Sequence, residues 1–229
     1  MIGYAIFFQC LEVLALIAGI YFYNRNKDKN TLYLIRFLSL TVFVELLGWY
    51  PFFIGNNGVL SFLKGTTIET NHWIYNIYHV ISGLFYISYF KWYLKLKKSV
   101  FILNFLSVIY LIGAVLYLVL SGVFFVAFSP FTLIVGTTLI FLSIALYYLE
   151  LLKSDQILRV HRTLPFYISV GASIFHLCTT PIYIYSLYFS KLDPNFVKTY
   201  QWINYSSNFI LYTIFIVGFL ICSKRKNPY

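Results

Sequence analysis

Seven long apolar stretches follow one another along the chain, separated by short polar gaps. Each is long enough to cross the hydrocarbon core of a bilayer as an α-helix, which takes about 20 residues. A helix also satisfies its own backbone hydrogen bonds in lipid. The pattern predicts an all-α, polytopic membrane protein, a bundle of seven transmembrane helices over Ile2–Tyr23, Thr31–Ile54, Trp73–Leu94, Val100–Ser121, Phe124–Leu152, Leu164–Phe189 and Tyr200–Cys222.

The basic residues alternate between the two ends of these stretches. Of the 17 Lys and Arg residues, all but Lys64, Lys191 and Lys198 lie in or beside the first, third and fifth gaps or after the last stretch. Positively charged residues collect on the cytoplasmic side of membrane proteins. The sequence therefore predicts that the N-terminus lies outside and the C-terminus in the cytoplasm.

Composition supports a membrane protein over a soluble one. The chain is 60% hydrophobic and 10% charged, with a mean hydropathy of +0.78, whereas soluble domains carry about 25% charged residues. The net charge of +10 follows the topology pattern, so it favours contact with anionic lipid headgroups and no nucleic-acid partner. Cys10, Cys178 and Cys222 have neither disulfide nor zinc-site spacing.

No gap between the stretches has room for a soluble domain, since the longest, from about residue 55 to residue 72, is rich in Gly and Asn turn residues. Residues 1–229 are expected to form one seven-helix transmembrane domain. The sequence has no Gly-x-Ser-x-Gly or phosphate-loop motif, and no lysine in the last stretch for a retinal Schiff base. Any signal is expected to leave through a separate membrane or cytoplasmic protein partner.

Polar residues recur along one face of the third stretch. His72, Asn76, His79, Gly83 and Tyr86 follow steps of three and four residues, so they share one side of a helix. Ionisable and polar groups inside a membrane are expensive and mark functional sites by default. This face is therefore expected to point into the bundle.

Other stretches add a few polar residues at similar depth. Counting inward from the predicted outer ends, most of them fall in the outer half of the membrane, and His176 lies near the middle. Many Tyr and Trp residues at the ends of the stretches, including Tyr50 and Trp73, are expected to be interfacial anchors. The sequence thus predicts an outward-opening polar pocket lined by Glu45, His72, Asn76, His79, His176, Asn204 and Asn208.

The favoured interpretation is non-enzymatic: the pocket binds or senses a small-molecule or lipid ligand. Three alternatives remain. One is an intramembrane metal-dependent hydrolase with Glu45, His79 and His176 around the ion, since carboxylate and imidazole are suitable ligands. The second is a transporter or channel subunit, and the third is a purely structural hydrogen-bond network. The residues identify no cofactor.

The stretch from Asn71 to Tyr78, together with the seven-span layout, resembles small bacterial integral membrane proteins that have no assigned activity. The resemblance carries over no catalytic residue. It implies that the chain lies in a bacterial cytoplasmic membrane, so that the outside of the bundle faces the periplasm.

Overall fold

The computed structural model describes residues 2–54, 58–185 and 194–223, and within these ranges all regular structure is helical. This confirms the all-α prediction. Short 3-10 segments cover Tyr50–Ile54, Ser61–Leu63 and Asp155–Arg162. The α-helices are α1 (Ile2–Asn26), α2 (Lys29–Leu47), α3 (His72–Lys91), α4 (Lys97–Leu120), α5 (Pro130–Leu152), α6 (Leu164–Tyr185) and α7 (Pro194–Ser223).

Six parts of the described chain are helical, long and apolar enough to cross a membrane, which confirms the prediction of a multi-pass membrane protein. They are Ile6–Asn26, Lys29–Ile54, Lys97–Leu120, Pro130–Leu152, Leu164–Tyr185 and Asn195–Ser223. α3 is not among them, because its polar residues lower its hydropathy. α4 exposes large apolar side chains along its length, as a helix in contact with lipid would; they include Phe101, Phe105, Val108, Ile112, Val115 and Val119.

The chain divides into two compact units. The first unit contains Met1–Ser39 and Ile144–Tyr229, and the second contains Leu40–Ser143. The boundaries fall inside α2 and α5, so each of these helices begins in one unit and ends in the other. The single domain over residues 1–229 stays a prediction.

In the first unit, α7 packs against both α1 and α6. The ring of Phe8 stacks on Tyr205 with centroids 4.9 Å apart, and the ring of Phe22 lies 5.8 Å from that of Phe219. The early part of α1 thus meets the early part of α7, and the late parts meet each other. These two helices therefore run parallel.

α6 and α7 run antiparallel, and their contact depends on two glycines. A Cβ atom added at Gly171 would lie 2.9 Å from the ring of Phe215, and one added at Gly218 would lie 2.6 Å from the Tyr167 side chain. Such distances are shorter than normal packing allows. Each glycine thus makes room for an aromatic side chain of the neighbouring helix.

In the second unit, α3 is a central helix, since half of its 20 residues are buried. It packs against α4, where Tyr110 fits between two glycines, Gly83 of α3 and Gly136 of α5. The Tyr110 hydroxyl donates a hydrogen bond to the Thr132 carbonyl at 3.1 Å. Lys91 at the end of α3 donates to Asn104 of α4 at 2.7 Å.

Three helix boundaries differ from the sequence prediction by six or seven residues, and one of them is the start of α7, which lies at Pro194 and not at Tyr200. The fifth stretch was expected to begin at Phe124, but α5 begins at Pro130, because Ser129 caps the helix through its hydroxyl, which accepts from the Thr132 amide at 3.2 Å. α2 ends at Leu47 and is followed by a 3-10 segment that contains Pro51. The end of the sixth stretch, at Phe189, lies outside the described residues.

Candidate functional site

Three hydrogen bonds connect α2 and the turn after it to α3 and the residue before it in the second unit. They are spaced by about one helical turn on both sides, as antiparallel helices in contact require. The partners are Thr41 Oγ1 and the Tyr78 hydroxyl at 2.8 Å, Glu45 Oε2 and the Tyr75 hydroxyl at 2.9 Å, and the Gly48 carbonyl and Asn71 Nδ2 at 2.7 Å.

The bond between Tyr75 and Glu45 is the only one of the three that involves a carboxyl group. The tyrosine hydroxyl donates to the carboxyl group, and both side chains are half-buried. Gly48 lies against the Tyr75 hydroxyl so closely that a Cβ atom there would collide with it. The absence of a side chain at position 48 therefore allows Tyr75 to reach Glu45.

The ring of Phe128 is in contact with three aromatic rings of α3. Its centroid lies 4.8 Å from that of His72, 6.1 Å from that of Tyr75 and 6.0 Å from that of His79, and each of the three rings is nearly perpendicular to it. This edge-to-face geometry is favourable for aromatic pairs. Phe128 and both histidines are half-buried.

We refer to Glu45, His72, Tyr75, His79 and Phe128 as the carboxyl–aromatic cluster. All five belong to the second unit. The carboxyl group, the phenol and the imidazoles provide hydrogen-bond donors and acceptors beside apolar ring surface. Since each of these side chains retains some exposure, the cluster combines the elements that small-ligand sites use.

Asn76 faces the loop between α4 and α5 and is fully buried. Its Nδ2 donates to the carbonyls of Phe124 and Ala127 at 3.0 and 2.9 Å, and its Oδ1 accepts from the amide of Ser129 at 2.9 Å. Both amide protons and the oxygen are thus in use. This side chain holds the loop that carries Phe128.

A second attachment supports the same loop from the connection between α2 and α3. The Tyr50 hydroxyl lies 2.6 Å from the carbonyls of both Ile68 and Thr70 and accepts from Trp73 Nε1 at 3.1 Å. The Thr70 hydroxyl in turn donates to the Phe125 carbonyl at 3.1 Å. Tyr50 and Trp73, expected to be interfacial anchors, thus also organise this loop.

The three remaining predicted pocket residues belong to the first unit. His176 lies on α6 next to Phe175, whose ring it meets edge-on at 5.3 Å. On α7, Asn208 Nδ2 donates to the backbone carbonyl of Asn204 at 2.9 Å and to its Oδ1 at 3.3 Å. The two asparagines therefore bond to each other along their own helix.

The structure thus brings together Glu45, His72 and His79 around Tyr75 and Phe128. Asn76 lies on the same helix but bonds to the loop behind this group. A pocket shared by all seven predicted residues stays a prediction, since four of them belong to one unit and three to the other.

A metal site finds no geometric basis in residues 2–54, 58–185 and 194–223, since no group of three or more His, Cys, Asp and Glu side chains there can hold an ion. A catalytic metal needs three or more such ligands. The metal-dependent hydrolase alternative, which places Glu45, His79 and His176 around one ion, therefore gains no support.

Sequence reasoning missed Tyr75, Tyr78 and Phe128. The two tyrosines follow Asn71 at steps of four and three residues, a helical face that could have been matched to Thr41, Glu45 and Gly48 on the second stretch. Phe128 lies in an apolar part of the chain, and only Ser129 and Pro130, a helix-start pair, could have shown that it belongs to a loop. Comparison of the chain with family models, curated proteins and solved structures gives no match.

Proposed function

We propose that this chain is a seven-span integral membrane protein that binds a small-molecule or lipid ligand at the carboxyl–aromatic cluster. The seven-span topology has the N-terminus outside and the C-terminus in the cytoplasm. It places the cluster toward the outer face of a bacterial cytoplasmic membrane. The observation that carries the binding function is the half-buried Glu45 carboxyl group, bonded to Tyr75 beside three further aromatic rings.

The direction of the helices in the first unit supports seven crossings. α1 and α7 run parallel, as the Phe8–Tyr205 and Phe22–Phe219 contacts indicate. Each crossing reverses the chain, so two parallel helices must be separated by an odd number of crossings. The five helices α2 to α6 satisfy this only if α3 also crosses.

The contacts of α3 explain how a helix with so many polar residues can cross. Its 20 residues span about 30 Å, the thickness of the hydrocarbon core. Asn76 bonds to the loop before α5, and Tyr75 and Tyr78 bond to α2. These three polar side chains are thus hydrogen-bonded inside the second unit and need not face lipid.

The charge pattern agrees with seven crossings as well. Without a crossing by α3, Lys95, Lys97 and Lys98 would lie on the opposite side from Arg25 and the lysines that follow α1. That arrangement contradicts the tendency of basic residues to collect on the cytoplasmic side. With seven crossings, both groups lie in the cytoplasm.

Topology can be tested by cysteine labelling. The three free cysteines are first replaced, and a single cysteine is then introduced, either Lys64→Cys before α3 or Lys97→Cys after it. Intact cells with each variant are treated with a membrane-impermeant maleimide. We expect Lys64→Cys to react in intact cells and Lys97→Cys only after the membrane is opened. Reaction at both positions in intact cells would show that α3 does not cross.

The ligand-binding function is non-enzymatic, with Glu45 as the charged contact and Tyr75 as its orienting partner. Asn76 positions the loop that brings Phe128 to the site. We propose that ligand binding is relayed to a separate membrane or cytoplasmic protein.

Mass spectrometry of small molecules and lipids bound to the purified chain tests the binding function. We expect a species that is retained by the wild type and lost in Glu45→Gln. Glu69→Gln is the matched control, because it removes the same charge from an exposed loop position in the same unit. Identical bound content in all three proteins would contradict the proposal.

A further inference from the structure

We propose that the ligand of the carboxyl–aromatic cluster carries an organic ammonium group, as choline and ethanolamine do, either as a free molecule or as a lipid headgroup. This inference rests on the proposed ligand-binding function and names the chemistry of the ligand. Three features of the second unit lead to it: a single membrane carboxyl group, the position of the lysines, and the aromatic rings linked to the carboxyl group through Tyr75.

The negative charge of the cluster comes from a single residue. Glu45 is the only acidic residue in the helical segments of the second unit, since Glu69 lies in the loop before α3. A carboxylate has about four lone-pair sites, of which the Tyr75 hydroxyl proton occupies one. Glu45 can therefore accept further hydrogen bonds from a ligand.

The helical segments of the second unit provide no Lys or Arg at the depth of Glu45. The nearest lysine along α3 is Lys91, which lies 16 residues beyond Tyr75, or about 24 Å along the helix axis. Its ammonium group bonds to Asn104. Lys95, Lys97 and Lys98 follow it, and Lys64 is exposed in the loop between α2 and α3.

A ligand cation would therefore offset the cost of placing a carboxylate inside the membrane. An isolated charge at this depth is expensive, and such groups are normally paired. An anionic ligand would add to the cost, and a neutral hydrogen-bond donor would offset less of it than a cation. Charge complementarity thus favours a positively charged ligand.

The aromatic rings favour an ammonium ion over an inorganic cation. The Tyr75 ring carries the hydroxyl that bonds to the carboxyl group, the Phe128 ring lies 6.1 Å from that of Tyr75, and the rings of His72 and His79 pack around Phe128. Aromatic faces attract organic cations, and sites for quaternary ammonium groups are built from several such rings. A metal ion needs three or more such ligands around one point, and no three His, Cys, Asp or Glu side chains of the described residues are placed to hold one.

The test uses three soluble probes with the full chain in an uncharged detergent at pH 8, where free imidazole is neutral. Choline and ethanolamine carry the ammonium group, and 3,3-dimethylbutan-1-ol has the shape of choline without its charge. Binding is measured as the rise in unfolding midpoint during titration. A second arm compares nanodiscs of phosphatidylethanolamine with nanodiscs of phosphatidylglycerol, using native mass spectrometry to detect bound lipid.

We expect an ammonium probe, or phosphatidylethanolamine, to bind the wild type while the neutral and anionic counterparts do not. Binding of the soluble probes without binding of phosphatidylethanolamine identifies a free molecule, and binding of phosphatidylethanolamine in the lipid arm identifies a headgroup. Glu45→Gln should raise the dissociation constant of the ammonium ligand about tenfold or more. Phe128→Leu should raise it about fivefold. The matched controls Glu69→Gln and Phe125→Leu should leave it unchanged.

Two outcomes would overturn the inference in different ways. If 3,3-dimethylbutan-1-ol binds as well as choline, or if no ammonium compound binds while the natively bound species still depends on Glu45, the ammonium assignment fails and the binding function stands. If no probe binds and the native bound content is the same in Glu45→Gln, both fail. A folded Glu45→Gln protein is verified by an unfolding midpoint close to that of Glu69→Gln.

Discussion

Asn76 and Glu45 are both polar side chains of the second unit, yet their surroundings differ. Asn76 is fully buried, and its amide group makes three hydrogen bonds to the backbone of one loop. Glu45 is half-buried and bonds to the hydroxyl of Tyr75, one residue before Asn76 on α3. A buried polar group that makes all of its hydrogen bonds stabilises the fold. A partly exposed acceptor beside aromatic rings can still bind a ligand.

We expect the largest loss of stability from removal of the fully hydrogen-bonded side chain, Asn76. Asn76→Ala leaves two carbonyls and one amide of the loop without their partner, so we expect a loss of about 2 to 4 kcal/mol in the free energy of unfolding. Denaturant or thermal unfolding of the purified chain measures it. Asn104→Ala is the control, because it removes only an exposed hydrogen bond with Lys91, which contributes little, and its midpoint should stay near that of the wild type. Equal midpoints for the two variants would argue against the anchoring role of Asn76.

Two glycine-to-alanine substitutions, with smaller expected effects on stability, separate the packing of the second unit from ligand binding. Gly83→Ala brings a Cβ atom to 3.0 Å from the hydroxyl of the buried Tyr110. We expect a loss of about 1 to 2 kcal/mol in the free energy of unfolding. Gly48→Ala pushes against the Tyr75 hydroxyl and should mainly remove bound ligand. Unfolding midpoints and bound content are measured for both. The comparison fails if Gly48→Ala keeps its ligand while Gly83→Ala loses it.

The smallest effect on stability is expected for single hydroxyl groups. Tyr75→Phe removes the bond to Glu45, and Tyr78→Phe removes the bond to the buried Thr41. Each should lower the free energy of unfolding by only about 0.6 kcal/mol, the average for such bonds in membranes. Only Tyr75→Phe should reduce the bound content. Equal ligand loss in the two variants would show that the two hydroxyl groups are equivalent.

The fold and part of the site could be predicted from the sequence for clear physical reasons. Apolar length and charge bias depend on the bilayer alone, so the helical, multi-pass character followed from local pattern. Helical spacing also placed His72, Asn76 and His79 on one face of α3. What it could not predict was the partner of each residue on that face.

The parts that sequence reasoning missed depend on contacts between distant residues. Asn76 binds backbone groups about 50 residues further along the chain, and no periodic pattern encodes such a contact. Phe128 was assigned to a membrane stretch, because only the Ser129 cap and Pro130 reveal that a loop precedes α5. Tyr75 is a tyrosine near the end of a membrane stretch, as interfacial anchors are. Only its hydrogen bond to Glu45 distinguishes it from them.

Hydroxyl-radical footprinting tests most directly whether the ligand binds in the second unit. The wild-type chain in native membranes, with its bound species, is compared with the same chain after exhaustive detergent exchange. We predict that oxidation of Tyr75, His79 and Phe128 rises when the bound species is removed, while oxidation of His176 and Tyr205 in the first unit does not change. A rise at His176 and Tyr205 with no change at Tyr75, His79 and Phe128 would contradict the account.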